Sequence, residues 1–557
     1  MFVATLCSWQ RRFYFLLVCF LAMSGCTDRH FEDLEAVVHG DDRPNILLIV
    51  ADDLGRSDIG IYGGEIPTPN LNALAASGVQ FTDFYAAPTC SPTRAMLLTG
   101  VDSHLAGLGN MGELTAPNQE GQPGYEGYLN ERVVSLPELL ADAGYNTYMS
   151  GKWHLGFSAD KGPHQRGFSR SYAVVPGWAH HLEHKGPQYQ DDDPLYMEDG
   201  KVVEELPESF FSSAYFTDKM IEYIDEGEED RKPFFAYLTY TAPHWPLQAP
   251  EVYLKKYRGY YAQGYDYWRE QRFSRMQQLG LVPADMKPPS RNSLVTPWVD
   301  LSAQEQAAEA AVMEVYAAMV DSLDHNIGRM LQFLENEGYM DNTIVVFISD
   351  NGAEGNPLEH YKNSPDYDNS LANIGRQGSF VYQGPGWGQV SAAPWDWWKA
   401  YTAEGGIHVP AMMRLPGAVQ VTRSIDTLAT VKDITPTLLS YAGVEHPGSR
   451  YRDRDVLPMS GQSLQPLLEG DETAMEHATM GWELFGRRAL RQGKWKIRWI
   501  EQARGSGEWE LFNLAVDPLE RSDVAAQNPK KLESMLAHWD QYMQENGIII
   551  PDGPVAY

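Results

Sequence analysis

The apolar positions of this chain fall into short uninterrupted runs separated by longer stretches of helical spacing. The run "NILLIVADD" (45–53) has no polar side chain between Asn45 and the two carboxylates that end it. A strand without alternation is one covered on both faces, as in a sheet packed between helices. Thr68-Pro69 then opens a short helix that stops near Gly78, with Thr as N-cap and Pro as the first helical residue. "SLPELLADAGYNTYMSGKWHLG" repeats the scheme: Ser135 and Glu138 have capping-box spacing, Pro137 lies in the first turn, and Gly144 ends the helix. A strand over 146–149 leads from it to Gly151-Lys152-Trp153-His154.

"PFFAYLTYTAPHWPLQAP" is a further apolar strand with His244 just beyond it. The stretch 302–338, rich in Ala, Glu and Leu at helical spacing, predicts a long helix. It runs into "NTIVVFISDNG", a strand ending at Asp350-Asn351. Strands alternating with helices predict an α/β fold, a large and mostly parallel sheet flanked by helices. Ligands of such sheets bind outside the carboxyl ends of the strands. Asp52, Asp53, Lys152, His154, His244, Asp350 and Asn351 all belong at such ends. From about residue 475 the pattern changes to short antiparallel strands ("RRALRQGKWKIRWI", "EWELFNLAVDP") and a helix over about 530–545. We therefore expect a main domain over 44–470 and a smaller C-terminal subdomain with its own antiparallel sheet over 471–557, the boundary falling within 440–475.

The beginning of the chain reads differently. Arg11 and Arg12 without an acid, an apolar run over 13–23 and Ser24-Gly25-Cys26 describe a secretion signal too short to span a bilayer. "LAMSGC" resembles a bacterial lipobox, whose cysteine becomes the acylated first residue. Met23 stands where a Leu is usual, which leaves a plain cleaved signal open. The expectation is a lipoprotein signal over 1–25, a polar tether over 26–43, and an exported, periplasmic protein touching the membrane only through Cys26. Cleavage leaves 532 residues and moves the net charge from −31 to −33. Acidity on this scale argues against a nucleic-acid partner, and it requires any anionic substrate to find a positive site built locally. Of the four cysteines, Cys7 and Cys19 leave with the signal, and Cys90 is then without a partner in a compartment where disulfides form readily.

Chemistry collects at the strand ends. Asp52 and Asp53 are consecutive, so they share a target only where the strand has ended, a turn that Gly55 would permit. With Asp350 and Asn351 they supply hard oxygen ligands, suited to Ca²⁺ or Mg²⁺ rather than zinc. In "TCSPTR", Ser91 or the residue before it caps a helix starting at Pro92, which places Cys90 at a helix N-terminus where an anion is favoured. Arg94, one turn in, adds a planar cation matched to sulfate or phosphate oxygens. Taken alone, a buried structural cysteine is the plainer reading of Cys90.

"CSPTR" matches the Cys-x-Pro-x-Arg signature of the type I sulfatases, and "CSPTRAMLLTG" its extended form. "ADDLG", "PTPNLNALAASGVQFTDFY", "GKWHLG", "APHWPLQAP", "SDNGAEG" and "EGGIHVPAMMR" resemble family blocks in family order. "LFNLAVDPLERSDVA" resembles the family's C-terminal subdomain, and the resemblance spans roughly 43–540. It is nearest to bacterial arylsulfatases, through "SHLAGLGNMGE" and the segment 250–300. The resemblance implies an alkaline-phosphatase-like fold and a sulfuric ester hydrolase acting on aryl sulfates or similar small-molecule esters. It implies that a maturation enzyme oxidises Cys90 to formylglycine, hydrated at rest, and that Asp52, Asp53, Asp350 and Asn351 hold one Ca²⁺ completed by residue 90 and a sulfate oxygen. Arg94 would stabilise the hydrated aldehyde, Lys152 and His154 contact the sulfate and residue 90, and His244 and Lys399 bind sulfate and assist the leaving oxygen. Lys399 is assigned by its spacing, five residues before Glu404. In this chemistry one hydroxyl of the diol attacks sulfur, Asp350 accepting its proton, and His154 deprotonates the other so that sulfate is expelled. The local cations answer the requirement that the overall acidity imposes.

Three other patterns point away from catalysis or to the edge of the site. "GLGNMG" (107–112) fits GxGxxG by chance, because no strand precedes it. His180, His181 and His184 lack a fourth ligand for zinc and are read as a solvated or substrate-facing loop. Trp387, Trp395, Trp397 and Trp398 could be core, but their place just before Lys399 favours a wall for an apolar leaving group. Two rival functions remain: a phosphonate or phosphate-ester hydrolase of the same superfamily, and a non-catalytic lipoprotein binding sulfated ligands with Cys90 unmodified.

Overall fold

The computed structural model describes residues 43–182, 196–228, 231–357, 366–417, 423–471, 473–475, 479–553 and 555. The signal, nearly all of the tether, Cys7, Cys19, Cys26 and His184 lie outside the described residues. Among those described, no helix is long and apolar enough to cross a membrane.

The main sheet has ten strands: β1 (Asn45–Ala51), β2 (Val79–Phe81), β3 (Asn146–Lys152), β4 (Arg170–Val174), β5 (Tyr196–Glu198), β6 (Lys201–Val202), β7 (Phe234–Thr239), β8 (Thr343–Ser349), β9 (Ala411–Arg414) and β10 (Arg423–Ile425). Their order is β10-β2-β9-β8-β1-β7-β3-β4-β5-β6. The central five, from β8 to β4, run parallel. Antiparallel strands enter on either side, at β9 and at β5. The sheet is mixed and mostly parallel, as the alternation of strands and helices predicts.

The apolar run of β1 divides between two cores. Leu47, Ile49 and Ala51 pack into one cluster with the helices Pro69–Ala76, Ser212–Glu226 and Ala303–Asn336. Ile46, Leu48 and Val50 pack into the other with Cys90–Thr99, Leu136–Asp142 and Ile434–Ala442. Both faces of the central strand are dry, which is why it lacks alternation. The long helix begins at a capping box: Ser302 Oγ accepts from Glu305 N, and Glu305 Oε2 accepts from Ser302 N at 2.8 Å.

The smaller antiparallel sheet comprises β11 (Thr479–Leu484), β12 (Arg487–Gln492), β13 (Trp495–Trp499) and β14 (Trp509–Asn513), covered by the helix Pro529–Glu545. Buried polar contacts join it to the main sheet. Lys496 Nζ lies 2.7 Å from Glu404 and 2.9 Å from Glu520, and Trp482 Nε1 donates to Ala86 O at 2.8 Å. Arg487 donates to Ala400 O at 2.7 Å, next to Lys399.

Candidate active site

The carboxyl ends of β1, β3, β7 and β8 are neighbours in the sheet, so the segments leaving them converge. Asp52 and Asp53 follow β1, Lys152 is the last residue of β3, His244 lies past β7, and Asp350 and Asn351 follow β8. The turn after β1 is made differently from expectation. Asp53 itself takes a left-handed conformation (φ 64°), while Gly55 has an ordinary φ of −66°. Gly55 is needed for space: a Cβ there would stand 2.4 Å from Ser391 O. Strain at a non-glycine residue is affordable here because Asp53 N donates to Asp350 Oδ1 (3.2 Å) and Leu54 N to Ser349 Oγ (3.1 Å).

Cys90 opens the helix Cys90–Thr99, with Thr89 rather than Ser91 at the cap, so the helix starts two residues earlier than Pro92. Its Sγ is buried, 3.4 Å from Asp52 Oδ1 and 3.8 Å from Asp53 Oδ1. Burial, with Asp350 adding to it, raises the thiol well above its usual range, so the unmodified cysteine is a neutral thiol and not a thiolate.

Three cations face three carboxylates around it. Arg94 donates to Asp350 Oδ2 through Nε (2.9 Å) and Nη2 (2.7 Å) and to Lys152 O through Nη1 (3.0 Å). Lys152 Nζ sits 2.7 Å from Asp52 Oδ2. Lys399 Nζ sits 2.9 Å from Asp53 Oδ1. All six side chains are buried. Burial opposes an ionised Asp350, but Arg94 and then Lys152 hold it below the usual carboxylate range. Burial pushes Asp52 up to about 7 despite Lys152.

The histidines differ. His244 Nδ1 donates to Trp245 O at 2.6 Å, which leaves Nε2 facing Asp53 Oδ2 at 3.5 Å. Burial, then Lys399, keeps it neutral. His154 stands with Nε2 3.0 Å from Glu113 Oε1, a residue the sequence reading passed over. Its nearest sequence signal is position: Glu113 ends the block "SHLAGLGNMGE", whose glycines form a loop and no nucleotide turn.

These residues fit a hard divalent cation. Asn351 Oδ1 is buried with no hydrogen-bond partner among the described residues, while its Nδ2 donates to Asp53 Oδ1 at 2.7 Å. Ligand atoms of Asp52, Asp53, Cys90 and His244 lie within 4.8 Å of one another. Asp52, Asp53 and Asp350 match Arg94, Lys152 and Lys399 in charge, with buried Glu354 3.9 Å from Lys399 as a further carboxylate, so a divalent ion supplies the positive charge that suits the site to an anionic ester.

Two aromatic or histidine readings are corrected. Of the two alternatives, solvated or substrate-facing, burial excludes the solvated one at His181: its Nδ1 meets Ser212 Oγ at 2.8 Å and its Nε2 donates to His244 O at 2.9 Å, so it holds the backbone of His244. His180 is likewise buried. The four tryptophans are core. Trp387 packs among Tyr261, Tyr265 and Trp298, Trp395 stacks on His408, and Trp397 and Trp398 pack on Tyr401. The rings beside the site are others: Trp245, whose ring lies 4.5 Å from that of His244, with Trp178 and Phe380 behind it.

The sulfatase family model matches residues 44–444. The chain belongs to the sulfatase family. A second model, the C-terminal region of N-sulphoglucosamine sulphohydrolase, matches residues 394–546 of the sulfatase. An uncharacterised sulfatase of Schizosaccharomyces pombe is 43% identical over 532 residues, covering 92% of this chain and 96% of its own. The arylsulfatase of Klebsiella aerogenes is 40% identical over 435 residues, covering 76% and 92%. In fold the sulfatase resembles Ps i-CgsB crystallised with k-i-k-neocarrahexaose (TM-score 0.65, 24% identity, 92% and 95% covered). It also resembles the phosphonate monoester hydrolase of Agrobacterium radiobacter (TM-score 0.51, 20% identity, 90% and 95% covered). The sulfatase is a type I enzyme of alkaline-phosphatase-like fold and a sulfuric ester hydrolase.

Proposed function

We propose that the protein hydrolyses aryl sulfates to phenol and inorganic sulfate, with Cys90 matured to formylglycine and one Ca²⁺ held by Asp52, Asp53, Asp350 and Asn351. The observation that carries this reading is the buried ring of carboxylates and cations around residue 90 at a helix N-terminus. The hydrated aldehyde supplies two hydroxyls on one carbon, one to attack sulfur and one whose deprotonation releases sulfate, and the cation neutralises charge on the transferring group.

The chain's own residues do the rest. Asp350, kept ionised by Arg94, receives the proton of the attacking hydroxyl. His154 is neutral, since burial outweighs Glu113, and its bare Nδ1 receives the proton of the second. Lys152 and Lys399 place fixed positive charge against the sulfate oxygens, and Lys399 with His244 serves the leaving oxygen. The aryl preference rests on similarity to the Klebsiella aerogenes arylsulfatase and on the rings of Trp245, Trp178 and Phe380 next to His244. The partners of this reading are a maturation enzyme acting on Cys90 and, at the other end of the chain, an export signal with a lipid anchor at Cys26. Comparing turnover of nitrophenyl sulfate with nitrophenyl phosphate and phenylphosphonate esters tests it. Sulfate is expected to dominate, and a dominant phosphorus activity would overturn it in favour of the rival hydrolase.

A further inference from the structure

Glu113 reaches the site from a turn (Gly112–Leu114) that no strand end supplies. The His154 side chain is 2% exposed and that of Glu113 is 37% exposed, so a sealed ring is tied to an acid on the open side. His154 is held in the left-handed region (φ 55°). Its ring is fitted against Gly177, where a Cβ would stand 2.8 Å from the ring Cε1 and Nε2 and 3.1 Å from Glu113 Oε1. Phe157 meets the ring edge-on at 6.1 Å. Nδ1 is buried and has no hydrogen-bond partner among the described residues. An imidazole nitrogen stripped of water and left unpaired costs free energy, so it marks a place completed by the reacting group.

A carboxylate only accepts hydrogen bonds, so the proton of the neutral ring lies on Nε2 and the lone pair on Nδ1. We infer that Glu113 is the positioning residue of His154, fixing both its tautomer and the direction of its basic nitrogen. This rests on the sulfate-ester reading above, in which that nitrogen takes a proton. It also assigns a task to the glycine-rich loop 107–112, which brings Glu113 to the ring.

The test pairs crystal structures of the full-length protein and its E113A and E113Q variants with steady-state kinetics on nitrophenyl sulfate. In E113A the His154 ring is expected to leave its place and kcat to fall about 10- to 100-fold with KM and Tm unchanged. E113Q, whose amide oxygen can still accept from Nε2–H, should hold the ring and lose less kcat. An E113A ring in the wild-type orientation, or a wild-type kcat, overturns the inference. Should E113A not fold, the E113Q crystal structure decides: a ring held by the amide oxygen, or displaced where that contact is lost, upholds the inference, and a ring that keeps its orientation without the contact overturns it. If the wild-type protein itself leaves sulfate esters intact, the functional reading fails, and the ring orientation in E113A still decides the role of Glu113.

Discussion

Lys399 and Asp53, 346 residues apart in the chain, form a buried ion pair with Nζ 3.0 Å from Oδ2 and 2.9 Å from Oδ1. The lysine is delivered by a loop braced from two sides. Lys399 N donates to Ala353 O and Ala400 N to Pro88 O, just before the Cys90 helix. The guanidinium of Arg487 lies 3.8 Å above the ring of Tyr401. Replacing Lys399 by Gln removes one fixed charge from the transition state while leaving the brace intact. We predict a loss of about 10²–10³ in kcat/KM on nitrophenyl sulfate, together with a lower Tm because Asp53 loses a buried partner. Unchanged kcat/KM would remove Lys399 from the site.

Removal of the divalent cation makes a second prediction. Asp52, Asp53 and Asp350 would then depend on Arg94, Lys152 and Lys399 for charge compensation. Chelation followed by desalting is expected to abolish turnover and lower Tm, with Ca²⁺ restoring both, because a cation bound only by the folded state stabilises it. Full activity and an unshifted Tm in the chelated protein would contradict the metal assignment.

Away from the site, His104 ties the helix Ser103–Ala106 to the smaller antiparallel sheet. Its Nδ1 lies 2.9 Å from Asp102 and its Nε2 3.4 Å from Glu483 of β11, while Tyr542 donates to Asp102 at 2.6 Å. Burial opposes its charge, but Asp102 and Glu483 raise it from 6.5 to about 9. A histidine raised on folding stabilises fully below its unfolded value and loses that contribution as pH climbs through the folded one. Wild-type Tm should therefore fall between about pH 6.5 and 9, by the equivalent of about 3 kcal/mol at most. H104Q should be less stable at pH 6 and show a flatter profile across that window. A parallel decline in both proteins would refute the assignment.

Much of the site is legible from sequence because a parallel sheet turns linear order into spatial order. Asp52, Lys152, His244 and Asp350 each end or follow a strand, and adjacent strands bring those ends to one edge. Lys399 follows no main strand, and only its spacing from Glu404 located it. What escaped has no periodicity behind it. Asp53 rather than Gly55 takes the left-handed turn, since tertiary hydrogen bonds outweigh the local preference. Glu113 meets His154 from 41 positions away through an irregular loop. The tryptophans 387–398 are apolar enough for either core or pocket, and packing against Tyr261, His408 and Tyr401 made them core.

The central claim is that residue 90 works as an aldehyde hydrate and not as a thiol. Mass spectrometry of the peptide ending at Arg94, from protein purified from its native host, tests it most directly. The account predicts a side chain in which oxygen has replaced sulfur and two hydrogens, reactive toward carbonyl reagents. An intact cysteine thiol in catalytically active protein would contradict it.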